Sequence, residues 1–392
     1  MTTAQVADVV VVGRGIIGAP AARHLAEAGH RVVLVGPDEP IDRRTSDGPF
    51  CSHPDEGRIT RIAGRNQPWV VLAAHSIARY ADIAQRSGVE FHHPRSVVVS
   101  FSDAPAWVER AAVWGSDARL VDPDEVRATT GIALTNGHPV MVEGAPAGWI
   151  NPRRMVAAQT ALVEQAGGVV IRDAATGISA SGSGVTVTGT FGEVAADRVL
   201  VAAGAFGAGL LDRPLDVERR PRTVLMAETA PDERIPSLIL QGPPDDRLNE
   251  VYWVPPVPYP DGRIRLKIGG DLKAFDPLGP GDLVTWFRSD GDRAEVEALE
   301  HSLRALLPDV TFGDLVGAPC VVTGTATGLP YIGWVDDRIA VAVGGNGSAA
   351  KSGDELGRIA ASLVTGGWDS DLDEALFRPR FADEKNLPGR SG

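Results

Sequence analysis

Three glycines near the start of the chain have the spacing of a site that binds the phosphates of a dinucleotide. Gly13, Gly15 and Gly18 form the pattern GxGxxG. In this motif the first glycine permits a tight turn, and the second lets the backbone approach a pyrophosphate. The third lets the following helix pack closely on the strand, while the helix amino terminus faces the phosphates. The chemistry predicted from these residues is the binding of a dinucleotide cofactor.

The residues around the glycines predict the strand, turn and helix that the motif needs. Four valines at 9–12 are typical of a strand buried on both faces of a parallel sheet, and a helical pattern then ends at Gly29. A second apolar strand follows at 32–35. That strand usually ends in an acid that binds the adenosine ribose, but here the position is Gly36. Either Asp38 reaches the ribose from a shifted loop, or the contact is lost.

The rest of the chain does not continue with the regular alternation of strands and helices that a nicotinamide dehydrogenase would show. Helices are predicted at 70–83, 155–166 and 354–365, and strands at 168–171 and 339–343, with a meander of short strands in between. Segments of the nucleotide-binding unit therefore lie at the start, the middle and the end of the chain. The predicted fold class is α/β with a discontinuous nucleotide-binding domain.

Composition narrows the possible partners. The chain has 392 residues, which fits two domains, and 43% of them are hydrophobic. A net charge of −13 argues against nucleic acid, because duplex binding needs a basic face. No apolar stretch predicts a membrane span, and the amino terminus lacks a secretory signal. Two cysteines make no disulfide scaffold, and the eight histidines have no metal-ligand spacing, so we expect a cytoplasmic protein without a metal.

Several sequence blocks point to one family. They are GRGIIGAPAARHLAEAG, GRITRIA, AGWINPRRM, DRVLVAAGAFGAGLL, RIRLKIGG, GAPCVVTGT and VGGNG. In order and spacing, over nearly the whole chain, they resemble the monomeric sarcosine oxidase family of the D-amino-acid-oxidase-type flavoproteins. The resemblance implies FAD and two domains. These are a Rossmann-like FAD-binding domain at 1–83, 150–220 and 315–392, and a substrate domain with a mixed or antiparallel sheet at 84–149 and 221–314.

The resemblance also implies roles for individual residues. Lys267 would lie near flavin N5 and promote the reaction with oxygen, since a fixed cation stabilises the developing anion. Arg61 would pair with a substrate carboxylate, and Arg58 would lie beside the flavin. Further FAD contacts are implied for Gly13, Gly15, Gly18, Val170, Gly345 and Gly347.

One of the two cysteines is implied to carry the flavin. Cys320 would be bonded through sulfur to the flavin 8α carbon, which requires a thiolate. The other interpretation of Cys320 is a small buried hydrophobic residue. Cys51 is expected to be structural or exposed, and His53 is a less favoured anchor for the flavin.

Three pocket positions depart from the family pattern. The second carboxylate-binding lysine is replaced by Ala349, and a lysine occurs two residues later as Lys351. The expected histidine is Asp271 and the expected aromatic residue is Val322. The flavin machinery is therefore predicted to be kept, while the substrate pocket is changed.

The predicted function is an FAD-dependent oxidase that removes a hydride from a carbon bearing an amine, with O2 as acceptor and H2O2 as product. The substrate is a small molecule and the protein is expected to be a monomer. An alternative is oxidation of an alcohol or a ring C–N bond in a specialised metabolite, which loss of the carboxylate clamp would favour. A more remote alternative is a flavin-binding scaffold without turnover, although Lys267 and Arg61 would then have no purpose.

Overall fold

The computed structural model describes residues 6–52, 55–182 and 184–384. The strands in these ranges are β1 (Val6–Val12), β2 (Val32–Val35), β3 (Arg58–Thr60), β4 (His92–Pro94), β5 (Val97–Ser100), β6 (Arg119–Val121), β7 (Val140–Glu143), β8 (Gly148–Ile150), β9 (Val169–Ile171), β10 (Ala175–Ser181), β11 (Gly184–Gly189), β12 (Gly192–Val201), β13 (Val217–Glu228), β14 (Ser237–Gln241), β15 (Leu248–Pro258), β16 (Ile264–Leu272), β17 (Leu315–Thr325), β18 (Tyr331–Trp334) and β19 (Ile339–Val343). The α-helices are α1 (Gly18–Glu27), α2 (Gln67–Ser87), α3 (Ala104–Ala112), α4 (Pro123–Thr130), α5 (Pro152–Gln165), α6 (Leu283–Arg288), α7 (Arg293–Leu306) and α8 (Ala349–Thr365).

The first sheet has a parallel centre in the order β9-β2-β1-β12-β19. The valines at positions 9–12 of β1 are almost fully buried, because helices α1 and α8 cover one face and apolar side chains of β11 and β12 pack on the other. Parallel strands place their carboxyl ends at one edge of a sheet. The ends of β1, β2, β12 and β19 therefore meet at the edge where the glycine motif begins.

The second sheet has the order β17-β13-β16-β15-β14-β5-β7-β6. Its pairs are antiparallel except for β14 with β5, so the sheet is mixed, as predicted. Helix α7 covers one face with leucines such as Leu299 and Leu303. The opposite face looks toward the carboxyl edge of the first sheet. A small third sheet, β3-β8-β4, lies at this junction.

The α/β fold class with a Rossmann-like unit and a second mixed sheet is confirmed. The exact division into domains stays a prediction. Strand β17, which the sequence assigned to the FAD-binding segment 315–392, pairs with β13 in the second sheet. No helix in the described ranges is long and apolar enough to cross a membrane.

Candidate active site

A large cavity lies between the carboxyl edge of the first sheet and the open face of the second. Its volume is about 1050 Å³. That is at the upper end of the roughly 300–1,000 Å³ typical of a small-molecule site, so it has room for a cofactor together with a substrate. Residues of the glycine motif line one end, and residues from β13, β15, β16 and β17 line the wall opposite.

The three motif glycines serve different steric purposes. A Cβ on Gly13 would lie 2.5 Å from the carbonyl carbon of Ala202, and one on Gly18 would overlap the carbonyl oxygen of Gly13. These two glycines hold β1, β12 and α1 in close contact. A Cβ on Gly15 would meet no atom within 4 Å, and Gly15 lines the cavity. The middle glycine thus leaves open the space through which a phosphate would approach the backbone.

The backbone of Arg14 lies against Gly36, the position that the ribose-binding acid usually occupies. A Cβ on Gly36 would lie 2.5 Å from the backbone nitrogen of Arg14. Arg14 donates to the carbonyl oxygens of Gly36 and Pro37 and pairs with Asp38. Arg172 also binds Asp38, at 2.9 Å. Asp38 lines the cavity from the shifted loop, held by two arginines, and lies at the adenosine end of the predicted cofactor site.

The loop before α8 closes the other side of the cavity. Gly344, Asn346 and Gly347 have positive φ, and the Asn346 side chain is bonded to the backbone of Thr325 and of Gly344. Gly345 and Gly347 line the cavity. Ser348 makes no side-chain cap for this 17-residue helix, and the Ala349 N–H is bonded to the Gly345 carbonyl oxygen at 3.1 Å. Residues 348–351, at the start of the helix, border the cavity. A helix amino terminus of this kind favours negative charge on a bound group.

Four functional groups cluster where β3 meets the second sheet. Arg58 pairs with Asp55, and its Nη2 lies 3.8 Å from the Cys320 Sγ. Lys267 donates to the carbonyl oxygen of Gly57 at 2.6 Å, and its Nζ lies 3.6 Å from Asp55. Lys267 is 1% exposed, and burial, together with the charge of Arg58, lowers its pKa to about 7. Arg58 and Cys320 line the cavity, whereas Lys267 lies behind its surface.

The two cysteines have different charged neighbours. Both line the cavity. Burial raises the pKa of the Cys320 thiol, and nearby charges act on it in both directions: Asp55 raises it, and Arg58 and Lys267 lower it. Burial also raises the pKa of Cys51, where Glu39 raises it further and two arginines lower it. The pKa of each thiol is therefore raised, and Cys320 is the one with the Arg58 Nη2 near its sulfur.

A pair of cations faces the cavity from another side. Arg61 donates to the carbonyl oxygen of Ala63 and lies 4.9 Å from the centre of the Trp107 ring. Lys351, in the first turn of α8, is 6% exposed. The only hydrogen bond of its side chain within the described residues is a 3.5 Å contact of Nζ with the Trp69 carbonyl oxygen. Burial, with the nearby charge of Arg61, lowers the pKa of Lys351.

A row of polar residues crosses the second sheet opposite these cations. Cys320 on β17 pairs in register with Arg222 on β13, and Asp271 on β16 pairs with Glu250 on β15. Arg222 also bonds to Asp271 across the strands. All four residues line the cavity.

Comparison with known proteins agrees with this geometry. Residues 8–363 match the DAO family model, which describes FAD-dependent oxidoreductases. The chain belongs to this family. It is 25% identical to monomeric sarcosine oxidase of Streptomyces avermitilis, over 95% of this chain and 97% of that protein. The solved structure of NikD, an unusual amino acid oxidase of nikkomycin biosynthesis, is 20% identical and covers 96% of this chain and 98% of its own, with a TM-score of 0.78. L-proline dehydrogenase from P. horikoshii is 15% identical, covers 96% and 97%, and has a TM-score of 0.74.

The residues of this FAD-dependent oxidoreductase fit FAD. The open space at Gly15, the uncapped start of α8 and the glycine loop before it provide what a dinucleotide flavin requires. In the described residues no group of three or more His, Cys, Asp or Glu side chains could hold a metal.

The structure brings most of the predicted site residues together. Gly13, Gly15, Arg58, Arg61, Cys320, Gly345 and Gly347 all line the one cavity. Gly18 lies beneath it as a packing residue, and Val170 packs half-buried against the core beside β2, outside the cavity lining. His53 lies outside the described residues. The roles of these residues stay predictions.

One inference from the sequence needs correction, and one residue was missed. Replacement of the family's lysine by Ala349 predicted loss of the cationic clamp. Yet Lys351 lines the same cavity as Arg61, because the cavity borders the whole first turn of α8.

Glu250 lines the cavity as well, although the sequence did not predict it as a pocket residue. Register shifts flank the segment 250–254 of β15, so alternation along the whole strand does not by itself tell which face Glu250 occupies.

Proposed function

We propose that this FAD-dependent oxidoreductase is an oxidase that removes a hydride from the carbon beside the amine of an amino acid, with O2 as acceptor and H2O2 as product. Sarcosine oxidase and the amino acid oxidase NikD are relatives whose names carry this chemistry. The observation that carries the proposal is the pair Arg61 and Lys351 on the cavity wall.

The cation pair calls for an anionic ligand. Burying an ammonium group without a charged partner is costly, and a cation in the first turn of a helix is further disfavoured by the helix dipole. Among the described residues, no carboxylate is hydrogen-bonded to Arg61 or Lys351. The charge of Glu143 opposes the lowering of both pKa values by burial, but the Glu143 oxygens accept from the backbone N–H groups of Ile62 and Ala63. A substrate carboxylate would supply the missing hydrogen-bonded partner, which favours an amino acid over a neutral alcohol.

FAD would supply the hydride acceptor in this scheme. The glycine motif and the α8 loop would hold its phosphates and ring, with Arg58 beside the ring and Cys320 as the covalent attachment point. The Arg58 Nη2 lies 3.8 Å from the Cys320 Sγ, and this nearby cation supports the choice of Cys320 over Cys51. Lys267 would add positive charge next to Arg58 on the side where oxygen is reduced.

Anaerobic reduction of the flavin tests the proposal. Amino acids are expected to bleach the flavin absorbance, whereas the hydroxy acids of the same carbon skeleton, such as lactate for alanine, are not. In Lys351→Met the concentration of amino acid needed for half-maximal bleaching should rise roughly 10- to 100-fold, because a charge-assisted hydrogen bond is lost. Bleaching by the hydroxy acids alone would instead favour an alcohol oxidase, and no bleaching by either class would favour a scaffold.

The remaining expectations belong to the same proposal. They are a monomeric state, a cytoplasmic location, and division into an FAD-binding domain (1–83, 150–220, 315–392) and a substrate domain (84–149, 221–314).

A further inference from the structure

The cavity wall includes the carboxylate of Glu250. Glu250 is half-buried, and no hydrogen bond or ion pair from the described residues reaches its side chain. Asp271, its partner in register, is bonded to Arg222 and lies 3.5 Å from the Asn249 amide. Of these two neighbouring acids, Asp271 is therefore neutralised and Glu250 is left with its charge facing the cavity.

The charged groups around Glu250 come from three parts of the fold. Burial raises its pKa above the ordinary value, and Asp271 on β16 adds to this shift. Arg65 and Arg61, which follow β3, and Arg222 on β13 act in the opposite direction. A carboxylate whose pKa is raised in this way accepts a proton more readily than an exposed glutamate does.

The cavity thus presents opposite charges to one ligand. Arg61 and Lys351 offer positive charge, and Glu250 offers negative charge close enough to Arg61 to oppose the lowering of the Arg61 pKa by burial. An α-amino acid is a zwitterion with the complementary arrangement. When the two cations bind its carboxylate, its ammonium group needs an anionic partner, and Glu250 is the free one.

We propose that Glu250 binds the ammonium group of the amino acid substrate and takes one proton from it, an inference that rests on the proposed function. An N–H bond of the ammonium breaks, the proton moves to an Oε of Glu250, and the nitrogen keeps the electron pair. That pair would then assist loss of a hydride from the adjacent carbon, for which bound FAD would supply the acceptor. The carbon is thereby oxidised to an iminium ion, and addition of water gives the carbonyl product and releases the nitrogen as an ammonium ion or a protonated amine. An ammonium nitrogen has no free pair, so proton removal must come first.

The test uses holoenzyme and pairs of ligands in which a CH2 or CH3 group replaces the amine. Suitable pairs are glycine with propanoate, N-methylglycine with butanoate, L-proline with cyclopentanecarboxylate, and iminodiacetate with glutarate. The Kd of each ligand is read from the change in flavin absorbance, for the amines in the rapid phase before anaerobic bleaching. Glu250→Gln is compared with Glu193→Gln, which removes the same charge from an exposed site on β12.

In Glu250→Gln the Kd of the amine that binds best is expected to rise roughly 10- to 100-fold, while its carbon analogue stays within about 2-fold. The bleaching rate of wild type should level off at a pH well below the pKa of the free amine, whereas that of Glu250→Gln should keep rising up to it. Glu250→Asp should keep the wild-type pH profile. Glu193→Gln should match wild type in both measurements.

Two results would overturn the inference, and they have different consequences for the proposed function. In the first result, the carbon analogues bind through Lys351, but Glu250→Gln has the same Kd for the amines and the same pH profile of bleaching as wild type. This result would refute the role of Glu250 and leave the proposed function standing. Failure of every ligand, amine or analogue, to change the flavin spectrum would refute the proposed function itself.

Discussion

Substitution of Gly15, the middle glycine of the nucleotide motif, tests FAD binding separately from folding. A side chain at Gly15 meets no protein atom within 4 Å, and its φ lies outside the positive region. Gly15→Val should therefore fold. Its side chain would occupy the approach to the pyrophosphate and cost at least about 3 kcal/mol of FAD affinity by displacing two or more charge-assisted hydrogen bonds, which is roughly 150-fold or more.

Gly18→Val is the matched control, because it makes the same chemical change three residues away. There the Cβ would overlap the Gly13 carbonyl oxygen and lie 3.1 Å from the Ala202 Cβ. The Gly13 carbonyl lies in the turn directly after β1 and cannot move away without disturbing that turn, so we expect a loss of about 4 kcal/mol or more, a large part of the stability of a typical domain. The assay is the ratio of flavin to protein absorbance in the folded fraction, with thermal unfolding alongside. A yellow Gly15→Val protein with a full complement of FAD, or a Gly18→Val protein as stable as wild type, would refute this reasoning.

Three further predictions concern other parts of the site. Acid-precipitated wild type should stay yellow, Cys51→Ser should too, and Cys320→Ser should release its flavin into the supernatant; colour retained in Cys320→Ser would disprove the attachment. Lys267→Met should slow reoxidation of chemically reduced flavin by about 100- to 1000-fold. Since the pKa of Lys267 is about 7, its charge is present below that pH and lost above it, so reoxidation of wild type should slow as the pH rises through 7; a flat stopped-flow pH profile would contradict this. Gly36→Asp should lower the unfolding temperature and not tighten FAD binding, because its Cβ would lie 2.5 Å from the Arg14 nitrogen.

The nucleotide-binding unit could be predicted from the sequence because its signals are local. The valine run, the glycine spacing and the helix that follows lie within about thirty residues, and each implies the same βαβ unit. Helix ends were less accessible. The helix predicted at 354–365 in fact begins at Ala349. Ser352 and Gly353 are weak helix formers, so propensity did not extend the predicted helix toward its amino terminus, although both residues are buried in it.

The substrate side of the cavity could not be predicted because it depends on contacts that are distant in sequence. Successive residues on a helix differ by about 100°, so a lysine two positions late is expected on another face. The cavity nevertheless borders Ala349, Ala350 and Lys351 alike. The orientation of Glu250 depends on how β15 pairs with β16, and the pairing of Asp271 with Arg222 depends on β13 lying beside β16. Strand order and register of this kind are not written in either strand alone.

In the proposed function, an amino acid is oxidised at its C–N bond and oxygen takes the electrons. The most direct measurement is a mass balance in air with the amino acid that bleaches the flavin fastest. We expect one O2 to be consumed and one H2O2 to be formed for each carbonyl product, with release of ammonia or an amine in the same amount. Flavin that an amino acid reduces but that stays reduced in air, with turnover only when an artificial electron acceptor is added, would contradict the claim and identify the protein as a dehydrogenase.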